Sequence, residues 1–194
     1  MTLSGGDRTL TGSTINTGST VAGGNNSLTI TGNADVDGAI TGVTNLSVSG
    51  TSNLGANVTT TGTQTYTGAV TLSGGDRTLT GSTINNVSTI SGGNNSLTIT
   101  GNADVDGAIT GLTNLSVSGT SNLGANVTTT GTQTYAGAVT VSGANRTLAG
   151  STINNVSTLN GGGYNLTITG NADVDGAISN VANLAVSGLS LIHI

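Results

Sequence analysis

The chain contains no Lys, Glu, Pro, Cys, Trp or Phe. Without Cys it has neither disulfides nor thiolate metal ligands. Three tyrosines are its only aromatic residues, so it lacks the bulk to fill the wide core of a large globular domain. Leu, Val, Ile and Ala can still line a narrow one. Positive charge is equally scarce: Arg8, Arg77 and Arg146 stand far apart against eight Asp, for a net charge of −5. Three dispersed Arg make no basic patch, which argues against nucleic acid as a partner. An acidic, Lys-free surface has no pull toward anionic lipid. No apolar run is long enough to span a bilayer, so direct membrane insertion by this stretch is not expected. The first residues carry no signal-peptide pattern either.

What the chain does contain is Thr, Gly, Asn and Ser, at 115 of 194 positions. That polarity alone would fit a disordered segment. Two features argue for order: 34% of the residues are hydrophobic, and they fall at regular places between Thr and Ser. Thr, Val and Ile suit a pleated, half-buried surface.

Self-similarity dominates the chain, with a period of 69 residues. The run from Thr2 to Arg8 returns at Thr71 to Arg77, and as Thr140 to Arg146. Copies one (2–70) and two (71–139) differ at six positions, and the truncated third (140–188) differs from the second at 14. The differences sort by chemistry. Leu72→Val141, Ile90→Leu159 and Leu112→Val181 exchange aliphatic residues, whereas Thr80→Ala149, Ser96→Asn165 and Thr110→Ser179 exchange small ones. This predicts a packed inner row beside a permissive outer one.

Within each repeat a shorter signature recurs: any residue, Thr or Ser, an apolar residue, Thr, Ser or Ala, then Gly. Copy two carries it from Arg77 to Gly81, Leu97 to Gly101, Leu115 to Gly119 and Gln133 to Gly137, with a weaker match from Val127 to Gly131. Strand side chains alternate, so the central apolar residue points one way and its hydroxylated neighbours the other. Gly permits the sharp corner that follows. The expected fold is all-β, a parallel β-solenoid forming one unit over 1–188. It has three or four coils per repeat and about ten coils in all.

Both ends depart from the repeat. Met1 occupies the register of Val70 and Val139, as expected of a GTG valine codon read as a start. After Gly188 the earlier copies continue Thr120 to Ala125, whereas this chain reads Leu189-Ser190-Leu191-Ile192-His193-Ile194. That hexapeptide is what the transposase adapter of sequencing libraries encodes, so residues 189–194 are expected to be non-native, and His193 is assigned no role.

Segments such as Asn26 to Asn33, Thr44 to Gly50 and Thr59 to Gly68 resemble the repeats of filamentous-haemagglutinin-like and autotransporter-type adhesins. The resemblance spans 2–188. It implies a right-handed parallel β-helix, displayed outside a Gram-negative cell as part of a much longer protein.

Two motifs bear on chemistry. Asn33-Ala34-Asp35-Val36-Asp37-Gly38 recurs at Asn102 to Gly107 and Asn171 to Gly176. It matches the opening of a calcium loop, but Thr44, Thr113 and Ala182 stand where the bidentate Glu belongs. Asp35, Asp37, Asp104, Asp106, Asp173 and Asp175 are therefore only weak calcium candidates, and no metal or other cofactor is expected. With about four coils between copies, equivalent Asp would lie about 19 Å apart along the axis, screened from one another without a cation. Paired carboxylates also occur in glycosidases. A catalytic site gathers bases, cations and platforms in one place, and here the Arg and Tyr66, Tyr135 and Tyr164 are scattered. Asp76→Asn145 moreover removes a carboxylate in one copy. No catalytic residues are expected and the chain is read as a non-enzyme. The glycine pairs Gly5-Gly6 and Gly23-Gly24 are turns, lacking the Lys and helix of a phosphate loop.

The function expected is structural and adhesive: a surface-exposed repeat region of a large secreted bacterial adhesin, meeting a host or cell-surface ligand. The alternative is a ligand-binding solenoid surface for ice or polysaccharide, built on outward Thr and Ser rows. Clustered, exposed Tyr would favour polysaccharide, and an unbroken Thr grid would favour ice.

Overall fold

The computed structural model describes residues 1–192. Among them there is no helix, and every strand pairing is parallel. Each strand pairs with the one about 18 to 21 residues further on, so the chain winds as a β-solenoid of about ten coils. Leu10, Ile30, Val48, Tyr66, Asn86, Val105, Leu123 and Val141 stack in one inward column along the axis. At a strand spacing of about 4.8 Å the rod is on the order of 50 Å long.

Alternation sets the strand faces as the signature requires. Ile30, Ile99 and Ile168 are 0%, 2% and 1% exposed, while Thr98, Thr100, Thr167 and Thr169 face solvent. Leu72 and Val141, and Ile90 and Leu159, are buried pairs, so those exchanges fall on the inner row. Stacking buries what no single coil can bury alone, and stability is then a nearest-neighbour sum along the rod.

The 69-residue repeat is not a whole number of coils. Copy two contains eleven separately registered strand segments: Val70–Leu72, 77–80, 83–86, Ile90–Ser91, 97–100, 102–105, Ile109–Leu112, Leu115–Val117, Ser121–Leu123, Val127–Thr129 and Thr132–Tyr135. Three segments close one coil, so eleven make three and two-thirds coils. This lies within the three or four coils expected, and because the count is not whole, equivalent residues of successive copies do not line up along the axis.

The coil has three sheets. Face A runs through 34–36, Ser52–Leu54, Val70–Leu72, Ile90–Ser91, Ile109–Leu112 and Val127–Thr129. Face B runs through 40–43, Val58–Thr60, 77–80, 97–100, Leu115–Val117, Thr132–Tyr135 and 152–155. Face C runs through 8–11, 28–31, 46–48, Thr63–Tyr66, 83–86, 102–105 and Ser121–Leu123. A shift of two-thirds of a coil moves each copy to a different face. The same strand therefore lies on face C at 28–31 and on face B at 97–100.

The first position of the signature, which the sequence left open, also points inward where it is Leu, Val or Gln, as at Leu97, Leu115, Val127 and Gln133, and not where it is Arg77. Gln64 and Gln133 are wholly buried. Gln64 Nε2 donates to the carbonyls of Val58 (3.1 Å) and Thr80 (2.8 Å), and its Oε1 accepts from the Tyr66 hydroxyl (2.9 Å). Gln133 and Tyr135 repeat the arrangement. Burial pushes both phenol pKa values up, which keeps each Tyr a neutral donor.

Residues 189–192 continue the winding. Ser190–Ile192 pairs with 172–174 in the register that Ser121–Leu123 holds against 103–105, with Leu189 and Leu191 exposed. His193 and Ile194 lie outside the described residues.

Candidate functional site

The six Asp of the repeated hexapeptide do not converge. Asp35 lies on face A, Asp104 on face C and Asp173 on face B, each outward between flanking coils. Asn16 and Asn53, on the coils before and after, donate to Asp35 Oδ2 and Oδ1 at 2.9 Å each. The Asn16 amide is also 3.5 Å from Asp37 Oδ2, where it bridges the two carboxylates. Asn122 likewise donates to Asp104 at 2.8 Å. In copy three Leu191 stands opposite Asp173 and offers no amide. Among the described residues, no three His, Cys, Asp or Glu side chains group as metal ligands would.

The Asp–Asn ladders give these carboxylates amide donors from neighbouring coils, so folding is expected to need no cation there. Thermal unfolding in excess chelator and in millimolar calcium is expected to give the same midpoint. A rise of many degrees with calcium would instead make these Asp metal ligands.

A second set of side chains explains the Asp76→Asn145 exchange. Asp7 and Asp76 accept the backbone N–H of Ser27 (2.8 Å) and Ser96 (2.7 Å) on the next coil. Asn145 accepts that of Asn165 at 3.0 Å. The position needs an acceptor oxygen, which either residue supplies. Asp76→Asn is expected to leave the unfolding midpoint nearly unchanged, whereas Asp76→Ala costs about 1 kcal/mol through the unpaired N–H. Equal losses in the two variants would refute the acceptor role. Arg77, in turn, reaches back to the preceding coil, with Nε donating to Leu54 O at 3.0 Å, while Nη1 donates to Asp76 O in its own loop at 2.8 Å. Its guanidinium thus joins the corners of two successive coils.

Tyr66 and Tyr135 belong to the core, so they form no exposed platform, and Tyr164 is partly buried beside it. An opening at the N-terminal end is lined by Met1, Leu10, Ile15, Thr17 and Val21. It is the apolar interior of the first coil seen end-on.

The outward hydroxyl rows are real but short. On face B, Thr78, Thr98, Ser116 and Thr134 are in register, beside a second row of Thr59, Thr80 and Thr100. The first row then changes character to Asn154 and Asp173. Face C shows the same order earlier: Thr9, Thr29, Ser47 and Thr65, followed by Asn85, Asp104 and Asn122. These two rows are each four coils long before an amide–carboxylate ladder interrupts them; on face A, Thr71, Ser91 and Thr110 are in register, Thr128 follows on the next coil, and Ala149 ends the row.

The fold defines the chain as a parallel β-solenoid of tandem repeats, compatible with the β-helical repeats of large adhesins. No family model, curated protein or solved structure matches it.

Proposed function

We propose that this chain is a structural and adhesive stretch of a large secreted bacterial adhesin, displayed at the cell surface, and that it is not an enzyme. The observation that carries the proposal is the way side chains are used. Polar groups that could serve chemistry are committed to joining one coil to the next, as with Asp35 between Asn16 and Asn53. What remains outward is a repeating surface of hydroxyls and amides on a rod. A rod built by stacking suits projection from a surface, because length is added without changing the packing of any coil. The breaks in the hydroxyl rows, at Asn154 on face B and Ala149 on face A, weigh against ice, whose lattice calls for a long uninterrupted grid on one face.

The test is retention under flow. Beads coated with the purified chain are passed over host-cell monolayers and immobilised extracellular-matrix glycoproteins. Retention well above that of uncoated beads is expected. Retention no better than theirs removes the adhesive half of the proposal and leaves a spacer.

A further inference from the structure

The chain carries ten Asn-x-Ser/Thr sequences, the acceptor pattern for N-linked sugars. The solenoid sorts their asparagines by what each amide already does. Asn86 and Asn155 are buried. Asn45, Asn57, Asn114, Asn126 and Asn145 each accept a backbone N–H of the next coil through Oδ1. Asn165 Oδ1 holds the Asn183 amide at 2.9 Å. Asn25 and Asn94 remain. They are one position in copies one and two, both are exposed, and neither side chain makes a hydrogen bond among the described residues.

We propose that Asn25 and Asn94 are N-glycosylation sites, each taking one hexose from a nucleotide-activated sugar. In the transfer Nδ2 bonds to the sugar C1, the C1–O bond to the diphosphate breaks, the nucleoside diphosphate leaves and the amide gives up one proton. The turn presents the acceptor. Asn94 sits in the corner between faces A and B at φ +65°, where the Asn95 N–H returns to the Gly92 carbonyl at 3.0 Å. Its own N–H donates to Gly111 O and its carbonyl accepts the Thr113 hydroxyl, both at 2.7 Å, so the main chain is held while the amide stays free. Asn25 repeats this at φ +61°, with the Thr44 hydroxyl on its carbonyl at 2.7 Å. The required hydroxyl is held as well. Ser96 donates its N–H to Asp76 at 2.7 Å, and its Oγ accepts the Asn114 amide at 3.3 Å, which leaves the hydroxyl proton to donate. The other exposed acceptors would have to give up a bond between coils to enter an enzyme, leaving a backbone N–H unpaired. Copy three lacks the site, because Gly163 and Asn165 stand where Asn94 and Ser96 do.

The test is transfer to the folded, purified chain by a sequon-specific N-glycosyltransferase and its UDP-hexose. Conditions are set so that free peptides spanning 43–49 and 92–98 are both fully modified. Intact mass is expected to show two hexoses on the folded chain, one on Asn94→Gln, and none when Asn25→Gln is added. Neither Gln variant should move the urea midpoint, since neither side chain holds a coil. Gly163→Asn with Asn165→Ser rebuilds the turn of copy two in copy three, where no atom lies within 4 Å of the added Cβ, and should raise the count to three. A folded chain that takes no hexose, or takes one at Asn45 or Asn114, overturns the proposal. A rebuilt variant that stays at two overturns the role given to the turn.

Discussion

Ile99→Asp is expected to abolish the single cooperative unfolding transition of the chain, and Thr98→Asp to leave it in place. The two residues are neighbours on one strand of face B, and they differ in where they point. Ile99 is 2% exposed and stacks between Leu79 and Val117. A carboxylate there is buried among aliphatic side chains with no donor nearby, so it either carries an unpaired charge or takes up a proton at a cost. The loss should exceed about 4 kcal/mol, the range reserved for substitutions with a named severe mechanism. Because each coil is held only by its neighbours, a broken middle coil separates the rod into two shorter stacks that unfold on their own. Thr98 is exposed between Thr78 and Ser116, so Asp there meets water and uncharged neighbours. Only its poor fit to a strand counts against it, at about 1 kcal/mol or less. Circular dichroism during urea unfolding reads both variants. Equal tolerance would refute the strand faces.

That pair was legible in the sequence, because the Thr-apolar-Thr pattern carries the two-residue period directly. The coil count was less so. The signature marks four or five of the eleven segments per repeat. The others, such as Ser121–Leu123 and Ile90–Ser91, are too short to show a period of their own. With the unmarked segments unseen, the two-thirds turn between copies was hidden, and so was the distribution of Asp35, Asp104 and Asp173 over three faces. Gln64 and Gln133 escaped for a different reason. An amide is ordinarily outward, and only the carbonyls of Val58, across the same coil, and Thr80, on the next, make an inward one favourable. That is a tertiary fact with no local signal.

Backbone conformation explains two exchanges that side-chain chemistry alone does not. Asn94 becomes Gly163 in copy three, and Gly111 becomes Asn180. All four sit in the left-handed region, at φ of 65°, 83°, 66° and 53°. Gly and Asn are the residues that enter it most readily. The repeat thus tolerates change where the conformation is kept, just as the inner row tolerates one aliphatic for another.

The same logic identifies a glycine that allows no exchange. Gly101→Ala is expected to lower stability by more than about 4 kcal/mol. Its φ is +137°, a region closed to residues with a β-carbon. An added Cβ would also lie 1.8 Å from the Gly81 carbonyl oxygen on the preceding coil. Both atoms belong to backbone held in parallel register, with Thr100 opposite Thr80 and Asn102 opposite Thr83. Relief therefore requires the coils to part, not a side chain to turn. Gly32 and Gly170 face the carbonyls of Gly12 and Gly150 at the same 1.8 Å, so every copy is built on this approach. Gly163→Asn is the control: φ there is +83°, no atom lies within 4 Å of its Cβ position, and Asn already occupies the site in copy two. That variant should stay within about 1 kcal/mol of the parent. If urea midpoints show Gly101→Ala no worse than Gly163→Asn, the close coil-to-coil approach at this corner is not what holds the repeat in phase.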